Sequence, residues 1–162
     1  MPRPRSVPDS IVHEAVLDLR RAGGDKAVTF GAVAARAGLA ASSLAQRHKT
    51  VAGMIRDAEN GLWQRLDDAL TEAAGQAPAS PKGAAALLKA LSPLARNLPV
   101  EAPAAEAWRA RVEAELALRL GSGGKARDAA AALFAAWQGL LLWEAAGGRP
   151  VRLKDLVKRI AP

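Results

Sequence analysis

Apolar residues recur along this chain at spacings of three and four, the period of helices that bury one face. After a Pro/Arg-rich start, Ile11, Val12, Ala15, Val16 and Leu19 form the first stripe, with Asp9 and Ser10 placed to cap it and Gly23-Gly24 to end it. Thr29 can cap a short second helix holding Val33, Ala34 and Ala37, and Gly38 supplies its left-handed stop. A third short helix is predicted from about Ala41 to His48. Thr50 then opens a long one, whose stripe of Val51, Ile55, Ala58, Leu62, Leu66 and Ala69 reaches about Leu70.

The segment Ala73 to Lys82 contains Gly75, Pro78, Ser80 and Pro81 and reads as a connection. Beyond it, Leu87, Leu91, Leu94 and Leu98 make another stripe, with Pro93 set to kink or shorten that helix. Trp108, Val112, Leu116 and Leu120 make the next, braced by Arg109 with Glu113 and Arg111 with Glu115 at i,i+4. Gly121 to Gly124 is expected to be a flexible turn before an apolar helix over Ala129 to Trp143. After Gly147-Gly148 and Pro150, a last amphipathic helix turns Leu153, Leu156, Val157 and Ile160 inward. The expected fold class is all-α, with an N-terminal unit over residues 1–50 and a helical C-terminal unit over 51–162. Ala, the best helix former, fills about a quarter of the chain and favours the same class.

One stretch carries chemical information. Ala34, Gly38 and Leu44 stand at helix-turn-helix spacing: a small residue where two helices cross, a glycine in the tight turn, and a leucine pinning the second helix onto the first. Such a second helix is free to enter the major groove of DNA. From Lys26 to Arg56 the basic residues Lys26, Arg36, Arg47, Lys49 and Arg56 occur with no acidic one, as a surface that approaches phosphates requires. The competing reading is a structural corner between two helices with a solvated basic face. His13 and His48 have no second histidine or carboxylate at ligand spacing, so neither points to a metal.

The stretch Val28-Thr29-Phe30-Gly31-Ala32-Val33-Ala34-Ala35-Arg36-Ala37-Gly38-Leu39 resembles the signature of the TetR family of transcriptional regulators. Ser43-Leu44 stands where the family usually has Thr-Leu, and Ala132 to Leu141 is similar to the helix through which these proteins commonly dimerise. The resemblance implies a homodimer that binds a partly palindromic operator in double-stranded DNA and releases it when a small molecule enters the C-terminal unit. The chain departs from the pattern at Ala40, where a capping Ser is usual, at Ala45 and His48, where aromatics are usual, and at Lys49-Thr50-Val51-Ala52, where Pro-Ser-Lys-Glu is usual. Lys49 offers a substitute phosphate contact.

Composition narrows the alternatives. The chain has no cysteine and no tyrosine, and no nucleophile–base set or phosphate-cradling loop can be assembled, so neither an enzyme nor a cofactor is expected. The longest uncharged run, Ala129 to Trp143, has fifteen residues against the roughly 20 that a bilayer-crossing helix needs, so membrane insertion is not expected. With no apolar leader behind Met1, a cytoplasmic location is expected. The net charge of +7 suggests an anionic partner, and composition leaves nucleic acid, an acidic membrane surface and no particular partner equally open.

Thr29, Ser42, Ser43, Gln46, Arg47, His48 and Lys49 are the candidate DNA contacts; Gln46 and Arg47 would read base edges, since Gln pairs with adenine and Arg with guanine. Arg3 and Arg5 could add contacts from an arm. Trp108, Val112, Leu116, Leu133, Trp137, Gly139, Leu140 and Leu141 are the candidate dimer face, because an all-round apolar helix needs a partner to cover it. Trp63, Leu91, Trp108, Phe134 and Trp137 are the candidate walls of a small apolar ligand pocket, with an equal claim to be core packing, since stripes at helical spacing usually pack. Against DNA reading stand Ala40, Ala41 and Ala45, which leave few reading groups and suit a TetR-like protein that instead binds a ligand, lipid or protein.

Overall fold

A computed structural model describes residues 7–96, 98–147 and 151–162, among which there are eight α-helices and no strand. The helices are α1 (Asp9–Gly23), α2 (Phe30–Ala37), α3 (Ala41–His48), α4 (Val51–Gln76), α5 (Pro81–Leu91), α6 (Pro103–Leu120), α7 (Gly123–Trp143) and α8 (Leu153–Ile160). Single 3-10 turns occupy Asp25–Ala27 and Glu144–Ala146. Arg3, Arg5, Gly148 and Pro150 lie outside the described residues. The chain forms two compact units, 1–64 and 65–162, divided within α4 rather than at Thr50.

In the first unit, Val12, Ala15 and Val16 of α1 meet Val28, Val33, Ala34, Ala37, Leu44, Met54 and Ala58 in one core. Neither Asp9 nor Ser10 caps α1. Pro8 occupies that position and no side chain bonds the free amides. Gly24, at φ 69°, ends the helix as expected. Of the expected α4 stripe in this unit, Ala58 and Leu62 are buried, but Val51 and Ile55 are only half-buried and Met54 is fully buried in their place. Met, with its flexible thioether, fills the core position that a stripe counted from Val51 passes over.

In the second unit, Leu66, Leu70, Leu87, Leu88, Leu91, Val112, Leu116 and Leu133 form the aliphatic centre. The connection expected over Ala73–Lys82 shrinks to residues 77–80. The buried Arg119 donates to the carbonyls of Ala74 at 2.7 Å and Ala77 at 3.3 Å, satisfying the end of α4. Ser80 caps α5, and Gly83 lies so close to Pro78 that a β-carbon there would collide with its carbonyl oxygen. Pro93 stops α5 at Leu91, leaving Leu94 and Leu98 beyond the helix instead of on its stripe.

Along α6 the expected stripe Trp108, Val112, Leu116 and Leu120 is buried. Arg109 pairs with Glu113 at 3.3 Å, but Arg111 pairs with Asp67, and Glu115 goes to Arg119 at 2.6 Å. Helix α7 begins at Gly123, six residues before the expected start, so the glycines expected as a flexible turn form its first turn. Ala126, Ala129, Ala130 and Leu133 are buried along this helix, and that packing outweighs the modest propensity cost of Gly123 and Gly124. By length and composition Gly123–Ala146 is long and apolar enough to cross a membrane, unlike the fifteen-residue run. In α8, Val157 is buried and Leu153, Leu156 and Ile160 are half-buried against α5 and α7.

Candidate nucleic-acid interface and apolar cavity

Helices α2 and α3 are built by local chemistry. The Thr29 hydroxyl accepts from the Ala32 amide at 3.1 Å and starts α2, and Gly38, at φ 68° and ψ 36°, closes it. The Leu39 amide then donates to the Ala34 carbonyl at 3.0 Å, while Ala34 and Leu44 are buried where the two helices cross. Ala40 occupies the start of α3 without any side-chain cap, which leaves the first amides of that helix open.

One side of α3 is buried through Leu44, and Ser42, Ser43, Gln46 and Arg47 are exposed, as are Thr29 and Lys49. Lys26, Arg36, Lys49 and Arg56 are exposed too and form no ion pair among the described residues. Arg47 does: its guanidinium lies 2.6 Å from Asp9 at the start of α1. His48, expected among the DNA contacts, belongs to the packing instead. Its side chain is only 5% exposed, with Nδ1 2.7 Å from an Asp57 carboxylate oxygen and Nε2 buried without a partner. Nδ1 therefore donates to Asp57.

Between α3 and α4 the backbone makes a γ-turn. Lys49 has φ 64° and ψ −44°, and the Thr50 amide donates to the His48 carbonyl at 2.7 Å. Lys49 is the one residue other than glycine with positive φ among the described residues. A β-carbon makes this conformation costly, and strain of this kind is often kept where a side chain has a functional role. Thr50 caps α4 by accepting from the Gly53 amide at 2.9 Å.

Sequence reasoning missed the pairing of Asp9 and Asp57 with α3 because both lie outside the acid-free window and reach α3 only through the fold. It also passed over Arg20, which holds Asp25 at 2.6 Å and pairs with Glu59 of α4. The Asp25 hydrogen bond raises the Arg20 pKa above its ordinary value against the opposing effect of burial, and Glu59 adds to the rise. A cation whose folded pKa is raised stabilises fully below its ordinary pKa and loses this only as pH climbs through the folded one. This brace is therefore constant across neutral pH.

In the second unit, the expected ligand walls mostly pack against one another. Trp108 and Phe134 meet edge to face at 6.1 Å, Phe134 and Trp137 at 5.7 Å, and Leu91 is fully buried. Trp63 belongs to the first unit. A cavity of about 560 Å³ opens elsewhere, between the ends of α5 and α7 and the start of α8, and of the expected walls only Trp137 borders it. Trp108, Val112, Leu116, Leu133 and Trp137, expected at a dimer face, are buried within the single chain, while Gly139, Leu140 and Leu141 line the cavity. Exposed apolar residues on α6 and α7 include Ala107, Ala110, Ala114, Leu118, Ala132, Ala135, Leu142 and Trp143. No family model, no curated protein and no solved structure matches the chain.

Proposed function

We propose that this protein is a DNA-binding transcriptional regulator of TetR-like design, acting as a homodimer on a partly palindromic operator. The observation that carries the reading is the exposed α3 face of Ser42, Ser43, Gln46 and Arg47, followed directly by a strained Lys49, in a unit that carries three further exposed, unpaired cations. Gln46 and Arg47 present the amide and guanidinium groups that read adenine and guanine edges, while Lys49, Ser43 and the open amides of α3 suit phosphates. Pairing through Leu118, Ala132, Ala135 and Leu142 would cover part of the exposed apolar surface of α6 and α7, and a two-fold dimer would present two α3 helices to successive half-sites. Release by a small molecule in the C-terminal unit, and repression as the outcome, complete the proposal.

A second reading draws on Asp9 and Asp57, which occupy Arg47 and His48, and on the uncapped Ala40: a protein of this fold that no longer reads DNA. Fluorescence anisotropy against DNA from the protein's own promoter region, across a salt series, separates the two. The regulator gives log K falling by about 0.9 per neutralised phosphate with log salt, and replacing Arg47 relaxes discrimination at one base pair by about 1–3 kcal/mol. Absence of binding at low salt establishes the second reading.

A further inference from the structure

The cavity at the end of α7 is apolar through most of its wall, with Leu140, Leu141, Trp143, Val151 and Leu153 around it. Its size falls within the roughly 300–1,000 Å³ of small-molecule sites. Trp143 lines it yet is 67% exposed, a costly way to leave an indole unless something covers it.

The polar groups of the wall are nearly all engaged. Trp137 Nε1 donates to Ser92 Oγ at 3.0 Å, and that hydroxyl donates to the Leu88 carbonyl at 2.7 Å. Among the described residues, what remains is one guanidinium and one carboxylate. Arg96 sets two nitrogens on the two oxygens of Glu144, Nη1 to Oε2 at 2.7 Å and Nη2 to Oε1 at 3.2 Å. A two-pronged fork of this kind fits any carboxylate equally well.

We propose that this cavity binds an amphiphilic carboxylate, an aryl- or alkyl-carboxylic acid, whose carboxylate takes the place of Glu144 on Arg96 while its apolar body lies against Leu140, Trp143 and Val151. Glu144 is the member of the pair that yields. It stands in a single 3-10 turn, half exposed, directly after the C-terminus of a 21-residue helix, where the helix dipole disfavours a negative charge. Once released it is solvated by water, and Arg96 stays paired. A cationic ligand would instead have to expel Arg96 and would meet a chain of net charge +7, which repels it and attracts an anion.

The site supplies the ligand class for the regulatory reading and rests on that reading only for its consequence; binding itself is measured on the DNA-free full chain. 4-Phenylbutyrate and its uncharged amide are titrated by calorimetry and by tryptophan fluorescence excited at 295 nm. The acid should bind saturably and at least tenfold more tightly than the amide, with a fluorescence change that Trp143→Phe diminishes. Glu144→Gln, which removes the competitor, should tighten the acid at least threefold, and Arg96→Gln should erase the preference for acid over amide. Equal binding of acid and amide by the unaltered protein, an acid affinity unchanged or weakened by Glu144→Gln, or no binding at millimolar acid overturns the proposal. Operator binding by the same preparation is scored separately, so a protein that takes the acid and ignores DNA loses only the regulatory reading, and the converse loses only this site.

Discussion

Replacing Lys49 with glycine sets folding and DNA binding against each other. Lys49 holds φ 64° and ψ −44° in a γ-turn, a conformation that costs a residue bearing a β-carbon about 1–3 kcal/mol. Glycine relieves that cost but adds about 0.4–1 kcal/mol of freedom to the unfolded chain. The balance is a gain of about 1 kcal/mol, read as a rise of roughly 2–4 °C in Tm for a chain of this length, or as a higher urea midpoint at unchanged slope. The same substitution removes an exposed ammonium beside α3, so operator affinity should fall and the salt slope should flatten by roughly 0.9 for each phosphate that is no longer neutralised. Lys49→Asn, which tolerates positive φ without a charge, should fall between on stability and match glycine on DNA. A glycine variant no more stable than the parent refutes the strain, and an unchanged salt slope refutes the role of Lys49 at a phosphate.

Asp9→Asn should release Arg47 and strengthen operator binding by a few-fold at most, because an exposed ion pair contributes only about 0–1 kcal/mol; anisotropy that weakens instead would show that Asp9 orients Arg47 for DNA. Arg119→Met should cost about 3 kcal/mol by chemical denaturation, since the Ala74 and Ala77 carbonyls lose their donor and Glu115 loses its partner; a loss under about 1 kcal/mol would mean that water replaces the guanidinium. Ala135→Glu puts a charge on the open face of α7 and should convert a dimer to a monomer in light scattering with the helical circular dichroism retained, whereas an unaltered dimer places the interface elsewhere.

What could be read along the chain was whatever a few adjacent residues decide. Thr29 and Gly38 bracket α2, α3 spans Ala41–His48, and α6 buries Trp108, Val112, Leu116 and Leu120, all as the spacing indicates. The errors lie where a local rule had two solutions or a tertiary contact outweighed it. Glu115 has an arginine four residues to either side, and the pattern alone suggested Arg111. The chain uses Arg119, the orientation with the acid N-terminal to the base, which is the better one on a helix, and Arg119 is further held by carbonyls more than forty residues away. The aromatics could wall a pocket or fill the core; Phe134 meets both Trp108 and Trp137 edge to face, and an aromatic stripe carries no mark that distinguishes the two outcomes.

The acid-free window shows the same limit at the candidate site. Between Lys26 and Arg56 the chain is purely basic, yet the field that a ligand meets at α3 is set by what packs around it. Asp9 arrives from α1 and Asp57 from α4, one on an exposed arginine and one on a buried histidine. The two contacts have opposite consequences. On the proposed regulatory reading, Asp9 would compete with DNA for a group on the surface, at a strength that a phosphate or a guanine can exceed. Asp57 fixes a ring that no ligand reaches and so supports the turn in which Lys49 is held. On the same proposed reading, Lys26, Arg36, Lys49 and Arg56, exposed and unpaired, would stay available to phosphates whatever Arg47 does, so the non-specific part of binding should survive a substitution at Arg47 while base discrimination does not.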